Sequence, residues 1–202
     1  MKTRDSGMPD ETMWSSFFAP DVVLAKLGLT RECRDVVDLG CGYGTFTIAA
    51  ARIVRGIVHA LDIDPAMIAT TMAKAQAAGL SNVAARQCDF VSDGTGLPDA
   101  RVDYVMLFNL LHCEEPVPLL REARRVLGAG GRLGIMHWNH DAATPRGPEL
   151  AIRPRPQQCR QWAEQAGFVL AGAEAHPGAE AHPGAEVVDL PPYHFGIVMR
   201  PR

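Results

Sequence analysis

Residues 36–44 read Val-Val-Asp-Leu-Gly-Cys-Gly-Tyr-Gly, and they restrict the fold more than any other segment of the chain. Val36 and Val37 have the character of the end of a buried strand. Gly40, Gly42 and Gly44 supply a tight turn with no Cβ to hold a ligand away from the backbone. The apolar-rich stretch from Phe46 to Val54 suits a helix. A strand, a glycine turn and a helix in this order place free backbone N–H groups beside a bound ligand. Asp38 sits just before the first glycine, where a phosphate-binding loop would suffer charge repulsion. A carboxylate there suits a ligand with a positive group.

The rest of the chain repeats the alternation. A helix from Pro20 to Leu27, closed by Gly28, precedes the first strand at 35–39. A second strand runs from Gly56 to Ile63. Asp64 before Pro65 starts the next helix, and Gly79 stops it. Val83 to Asp89 and Val102 to Phe108 read as the third and fourth strands. Leu119, Leu120, Ala123, Val126 and Leu127 share one helical face. Gly128 to Gly131 then turn the chain into a fifth strand, Arg132 to Trp138. Gln157 to Ala166 form a helix with Trp162 inward and Gly167 as cap. Phe168 to Ala171 and His194 to Met199 complete seven strands, the last two as an antiparallel pair at one end. Strands alternating with helices imply an α/β, doubly wound and mostly parallel sheet with helices on both faces. Residues 1–19 are expected to be irregular.

A chain of 202 residues, 47% hydrophobic and 21% charged, fits one domain with a full core. A net charge of −3 and scattered basic residues argue against a nucleic-acid partner. Arg121, Arg124 and Arg125 read as a solvated helix face. Cys33, Cys41, Cys88, Cys113 and Cys159 are odd in number and lack a Cys-x-x-Cys spacing, so reduced thiols in a cytoplasmic protein are expected, with no structural metal. Neither a signal-peptide core nor a membrane span is expected. Glu-Ala-His-Pro-Gly-Ala occurs twice, at 174–179 and 180–185. His176 and His182 make a weak metal site, and a duplicated surface loop at 174–186 is the favoured reading.

Val37 to Gly44 and their surroundings resemble the first motif of the class I S-adenosylmethionine-dependent methyltransferases. The resemblance runs from about residue 13 to the C-terminus and is nearest the small-molecule, ubiquinone/menaquinone-type (type 11-like) group. It implies a Rossmann-like fold. It also implies that Asp38 and the turn Gly40, Cys41, Gly42, Tyr43, Gly44 hold the methionine end of S-adenosylmethionine. Asp62 then grips the two ribose hydroxyls, as carboxylate oxygens can. Ile63 and Met67 flank the adenine, and Asp89 and Phe90 meet its amino group and edge. Asn109 and Leu110, followed by Leu111 and His112, line the methionine end. Arg125-Val126-Leu127 and the following glycines match the family's entry to the fifth strand.

The function implied is methyl transfer to a small molecule by direct displacement. The alternatives are a nicotinamide-dependent oxidoreductase, or a non-catalytic cofactor-binding member of the same fold. The dinucleotide reading leaves Asp38 without a use, although it shares Asp62. The segment Asn109-Leu110-Leu111-His112 carries none of the signatures of protein or RNA methylation. His112 and His137 are the candidate bases, should the acceptor have to lose a proton. His112 can equally pack over the cofactor, and His194 reads as structural. Trp14, Phe17 and Trp138 are candidate substrate contacts, with 1–30 as a lid segment. Their other reading is plain packing of the first helix onto the sheet. Cys41, Cys88 and Cys113 admit a thiol- or arsenic-related reading, set against cysteine as a small buried hydrophobe.

Overall fold

The structure is a computed structural model that describes residues 10–141, 143–145, 147–172 and 187–202. The repeat with His176 and His182 lies outside the described residues. Five parallel strands form the body of the sheet: β1 Val36–Leu39, β2 Val58–Asp62, β3 Val83–Gln87, β4 Val102–Phe108 and β5 Leu127–Trp138. Three more follow: β6 Phe168–Leu170, β7 Val188–Leu190 and β8 His194–Pro201. The order is β3-β2-β1-β4-β5-β8-β6, and β7 shares the outer edge of β8 with β6. β8 runs antiparallel to β5, β6 and β7.

Among the described residues eight strands therefore stand where seven were expected. The extra one, β7, pairs only three residues, Val188, Asp189 and Leu190, with β8. A three-residue strand at an edge has too little alternation to be read from sequence. The antiparallel pairing of Phe168–Leu170 with the last strand is as expected.

β1 and β4 are almost wholly buried because helices cover both faces of the sheet. Alternation divides their side chains between two cores. Val37, Leu39, Val105 and Leu107 face α5 (Pro116–Val126) and α6 (Pro156–Gln165). Val36, Tyr104 and Met106 face α2 (Pro20–Lys26) and α3 (Thr45–Ile53). α4 (Pro65–Ala77) starts as expected, with Asp64 Oδ1 accepting from Ala66 N–H at 2.8 Å. Residues 11–15 form a short helix, α1 (Glu11–Ser15), where irregular chain was expected; Asp10 caps it.

The glycines after α5 do not form a turn outside the sheet. They lie within β5, where pairing jumps from Val102↔Leu127 to Tyr104↔Arg132, so the extra residues bulge and bend the strand. Gly134 has a steric duty. A Cβ there would lie 2.0 Å from the Tyr104 hydroxyl, which crosses the strand to donate to Leu27 C=O at 2.8 Å. Arg125 is also more than a solvated face. It donates to Leu97 C=O at 2.8 Å and pairs with Asp99 and Glu122, tying α5 to the loop before β4. Glu122 accepts from both Thr95 N–H and Thr95 Oγ1. Arg125 first, then Thr95, hold its carboxyl down to about 2.

After β3 the chain crosses to the far side of β1 to lay down β4. That reversal opens a crevice at the carboxyl ends of β1 and β4, the place where open α/β sheets bind ligands.

Candidate active site

A cavity occupies this crevice. Its lining includes Asp38 and the turn residues Gly40, Cys41 and Gly42. Asp62 and Ile63 reach it from β2, and Asp89 and Phe90 from the end of β3. Asn109, Leu110 and His112 reach it from β4, and Trp14 closes it from α1. Thus residues chosen at four successive strand ends do converge. Tyr43, Gly44, Met67, Phe17, Trp138 and His137 are not part of the lining. Thr45, Phe46, Phe108 and Leu119 do line it, though only their apolar or helix-start character was visible in sequence.

Four of the turn's amides, those of Gly40, Cys41, Gly42 and Gly44, are taken by internal acceptors. Gly40 N–H and Cys41 N–H both donate to Leu61 C=O, at 2.8 and 3.0 Å. Gly42 N–H donates to Asp62 Oδ2 at 2.8 Å, and Gly44 N–H to Cys41 C=O at 2.9 Å. Reversing the chain this sharply next to β2 uses these donors internally. Gly44 takes φ +75°, and a Cβ on it would lie 2.8 Å from Thr71 Oγ1. Its role is therefore to let α3 start close against α4. Tyr43 C=O accepts from Lys74 Nζ at 2.8 Å, and Lys74 also pairs with Glu11, which fastens α1 over the turn.

The acids differ in their partners. Asp62 is buried and accepts two backbone bonds, from Gly42 on Oδ2 and from Asp64 N–H at 3.0 Å on Oδ1. Each oxygen keeps a lone pair for a further donor. Asp38 is 3% exposed and accepts from Thr47 Oγ1 at 2.6 Å, a partner the sequence did not suggest. Burial raises its carboxyl to about 7; the Thr47 bond opposes this and the nearby Asp62 adds to it. Burial likewise pushes the Cys41 and Cys113 thiols up, so they stay protonated. Among the described residues no three Cys, His, Asp or Glu side chains are placed to hold a metal ion.

The β4–β5–β8 side is a histidine-rich wall. Asn109 takes φ +59°, its N–H donates to Met136 C=O at 2.7 Å, and its Oδ1 is buried with no hydrogen-bond partner. Asn109 Nδ2 lies 3.5 Å from Nε2 of His194, whose Nδ1 is buried and also unpartnered. Burial, then the Arg153 charge, pushes His194 down to about 3. His112 Nδ1 is 3.3 Å from His137 Nε2, and burial lowers both rings, His137 the more strongly.

Trp14, Phe17 and Trp138 share one aromatic cluster, with ring centroids 5.7 Å apart for Phe17 and Trp138 and 6.5 Å for Trp14 and Trp138. Phe17 and Trp138 are buried packing, so of the three only Trp14 both packs and faces the cavity. Arg153, which the sequence reading missed, lies 5.6 Å from the Trp138 ring and donates to Pro148 C=O and Asn139 C=O. It anchors the segment after β5. Its signal was nothing more than one arginine in a polar loop.

The residues fit the cofactor implied by the sequence. A cationic amine suits Asp38, and a ribose diol suits the lone pairs left on Asp62. Comparison with known proteins agrees. Residues 36–131 match a family model described as a methyltransferase domain. The chain is 29% identical over 137 residues to aklanonic acid methyltransferase DauC of Streptomyces sp. (strain C5), covering 62% of this chain and 61% of that protein. It thus spans about three fifths of that relative's length. A SAM-dependent methyltransferase from Aquifex aeolicus superposes with TM-score 0.78 at 24% identity, over 96% of this chain and 94% of that one. Geranyl diphosphate methyltransferase in complex with SAM gives 0.68 at 16% identity, over 93% and 85%. The chain thus carries a match to a methyltransferase-domain model over residues 36–131, and its fold is that of solved SAM-dependent methyltransferases.

Proposed function

We propose that this protein binds S-adenosylmethionine in the crevice and transfers its methyl group to a small-molecule acceptor. One observation carries the reading: acids at three successive strand tips, Asp38, Asp62 and Asp89, enter one cavity together with Asn109. A dinucleotide pyrophosphate would meet Asp38 with like charge, whereas a cationic amine is attracted to it. Asp38 and Asn109 hold the methionine end, Asp62 the ribose, and Asp89 with Phe90 and Ile63 the adenine. Met67 and Tyr43 act at one remove, through α4 and the turn.

The bound cofactor supplies an electrophilic methyl on a sulfonium. The chain supplies alignment of the acceptor and exclusion of water. Trp14, held over the opening by Phe17, Phe18 and Trp138, does the second, which makes residues 10–30 a cover over the cavity. A net charge of −3 supports a small acceptor over nucleic acid. Five free cysteines support a reducing, cytoplasmic setting. No helix among the described residues is long and apolar enough to cross a membrane.

Isothermal titration of the full chain with S-adenosylmethionine and, separately, with NADH tests the reading. Binding of S-adenosylmethionine alone is expected, and binding of NADH alone overturns it. Tight cofactor binding with no labelled methyl transferred across an acceptor panel would instead mark a non-catalytic member of the fold.

A further inference from the structure

Two histidines far apart in sequence meet at the cavity wall, and their protons can be placed by elimination. His137 lies on β5 with no exposed surface, and its Nδ1 is 3.4 Å from Trp138 C=O. Its Nε2 faces His112 Nδ1 at 3.3 Å. Burial keeps His137 neutral, so the ring carries one proton. A carbonyl can only accept, so that proton sits on Nδ1 and Nε2 has a lone pair. The Nδ1 of His112 must then be the donor. His112 is neutral as well, because burial lowers it too, so its own Nε2 is bare. No hydrogen bond to that nitrogen forms among the described residues, and the ring lines the cavity beside Asn109.

We propose that His137 is a positioning residue that fixes His112 in the Nδ1–H tautomer, leaving His112 Nε2 as a base toward an acidic hydroxyl, a phenol or an enol. The inference rests on the methyl-transfer reading and names its acceptor class. An amine acceptor is already nucleophilic once neutral, and a carboxylic acid is already ionised at neutral pH. An aliphatic alcohol is too weak an acid for an imidazole of depressed basicity. A phenol, with a pKa of about 10, is the matched case. Trp14 and Phe108 give the same cavity the flat apolar walls such a ring needs.

The step balances. The acceptor O–H proton moves to His112 Nε2, and the oxygen's electron pair forms the new bond to the methyl carbon. The carbon–sulfur bond breaks with its pair left on sulfur. His112 is left as an imidazolium whose Nδ1–H bond to His137 is now charge-assisted, and it returns its proton to water. The groups facing the pair are His194 and Arg153, which act on His137, and Asp38, Cys88, Asp89 and Cys113 across the cavity. Since His112 is lowered from 6.5, kcat at saturating cofactor should be flat above that pH and fall only in more acid solution, while Asp38, raised to about 7, acts on cofactor affinity.

Nitrogen NMR of the full chain with labelled histidine reads the tautomer without any turnover. Nδ1–H on His112 is expected, and Nε2–H overturns the proposal while leaving methyl transfer intact. His137→Leu should release His112 to a tautomer mixture and move the acid limb of the pH profile to lower pH. His137→Gln, which keeps an acceptor, should restore both; an unchanged His112 spectrum in folded His137→Leu also overturns it. With labelled S-adenosylmethionine, simple phenols and 1,3-diketones should be methylated and primary amines not. Transfer to amines alone refutes the acceptor class. If S-adenosylmethionine fails to bind, the functional reading falls, and the nitrogen spectrum still decides the histidine pair.

Discussion

The two sides of the cavity are built in opposite ways. At the tips of β1 and β2 the polar groups close on one another: Gly42 and Asp64 N–H on Asp62, Thr47 on Asp38, Gly40 and Cys41 N–H on Leu61 C=O. At the tips of β4 and β8 polar atoms are left over, with Asn109 Oδ1 and His194 Nδ1 buried and unpartnered. A closed network is rigid before a ligand arrives, which suits a cofactor bound in every cycle. Unpaired buried groups cost about 1–3 kcal/mol each; Asn109 is part of the cavity lining, and His194 is not.

Substitutions that act on one side alone are the way to break this contrast. The largest effect is expected from His112→Gln, which should lower kcat by about 10²- to 10⁴-fold, the usual worth of a positioned base. Affinity for S-adenosylhomocysteine should hold; a calorimetric loss of that affinity instead would merge the two sides. Asp62→Ala should do the reverse. Two backbone bonds to a charged group, about 1.5–3 kcal/mol each, hold the turn in place. Its removal should weaken S-adenosylhomocysteine binding by roughly 100-fold.

Gly44→Val tests the closed turn without touching the cavity lining. A β-branched residue at φ +75°, with Cβ 2.8 Å from Thr71, should cost about 2–4 kcal/mol in denaturant unfolding. An unchanged midpoint would show that the turn tolerates opening.

Asp38→Asn sharpens the contrast through pH. The folded carboxyl titrates near 7 against an ordinary value of 3.8, so the folded state holds the extra proton between them. This group's penalty is absent in acid and grows as pH rises to about 7, so the Asn variant should melt higher than the parent at pH 8 and equally at pH 4. Its cofactor affinity should fall, since an ammonium prefers the ionised acid. The smallest effect is expected from Glu122→Gln, far from both sides. The parent's Glu122 contribution is present above about 4.5 and lost as pH falls toward about 2. The variant should therefore lose a little stability at pH 7, converge with the parent in strong acid, and leave cofactor affinity alone.

Much of the β1–β2 side of the cavity was legible because its residues are close in sequence or at strand ends. Asp64 capping α4, Asp62 at the end of β2, and the turn at 40–44 each carry a local signal. The fate of the turn amides was not legible, because Leu61 C=O and Asp62 accept them from a neighbouring strand. The glycines at 128–131 read as a turn but form a bulge, since their pairing depends on β4. β7 was missed because three residues at an edge carry no period. Phe17 and Trp138 offered two readings that only packing could separate.

By itself the sequence determined the alternation of strands and helices, the glycine turn, and the acids at successive strand tips. Periodicity, backbone conformation and charge are properties of short segments. Tertiary structure alone decided that His112 meets His137, that Asn109 meets His194, and that Trp14 rather than Phe17 faces the cavity. These contacts join residues 25 and 85 positions apart, across β4, β5 and β8. Hydrogen-bond direction and burial exist only once those strands are side by side, and they set which nitrogen is left bare.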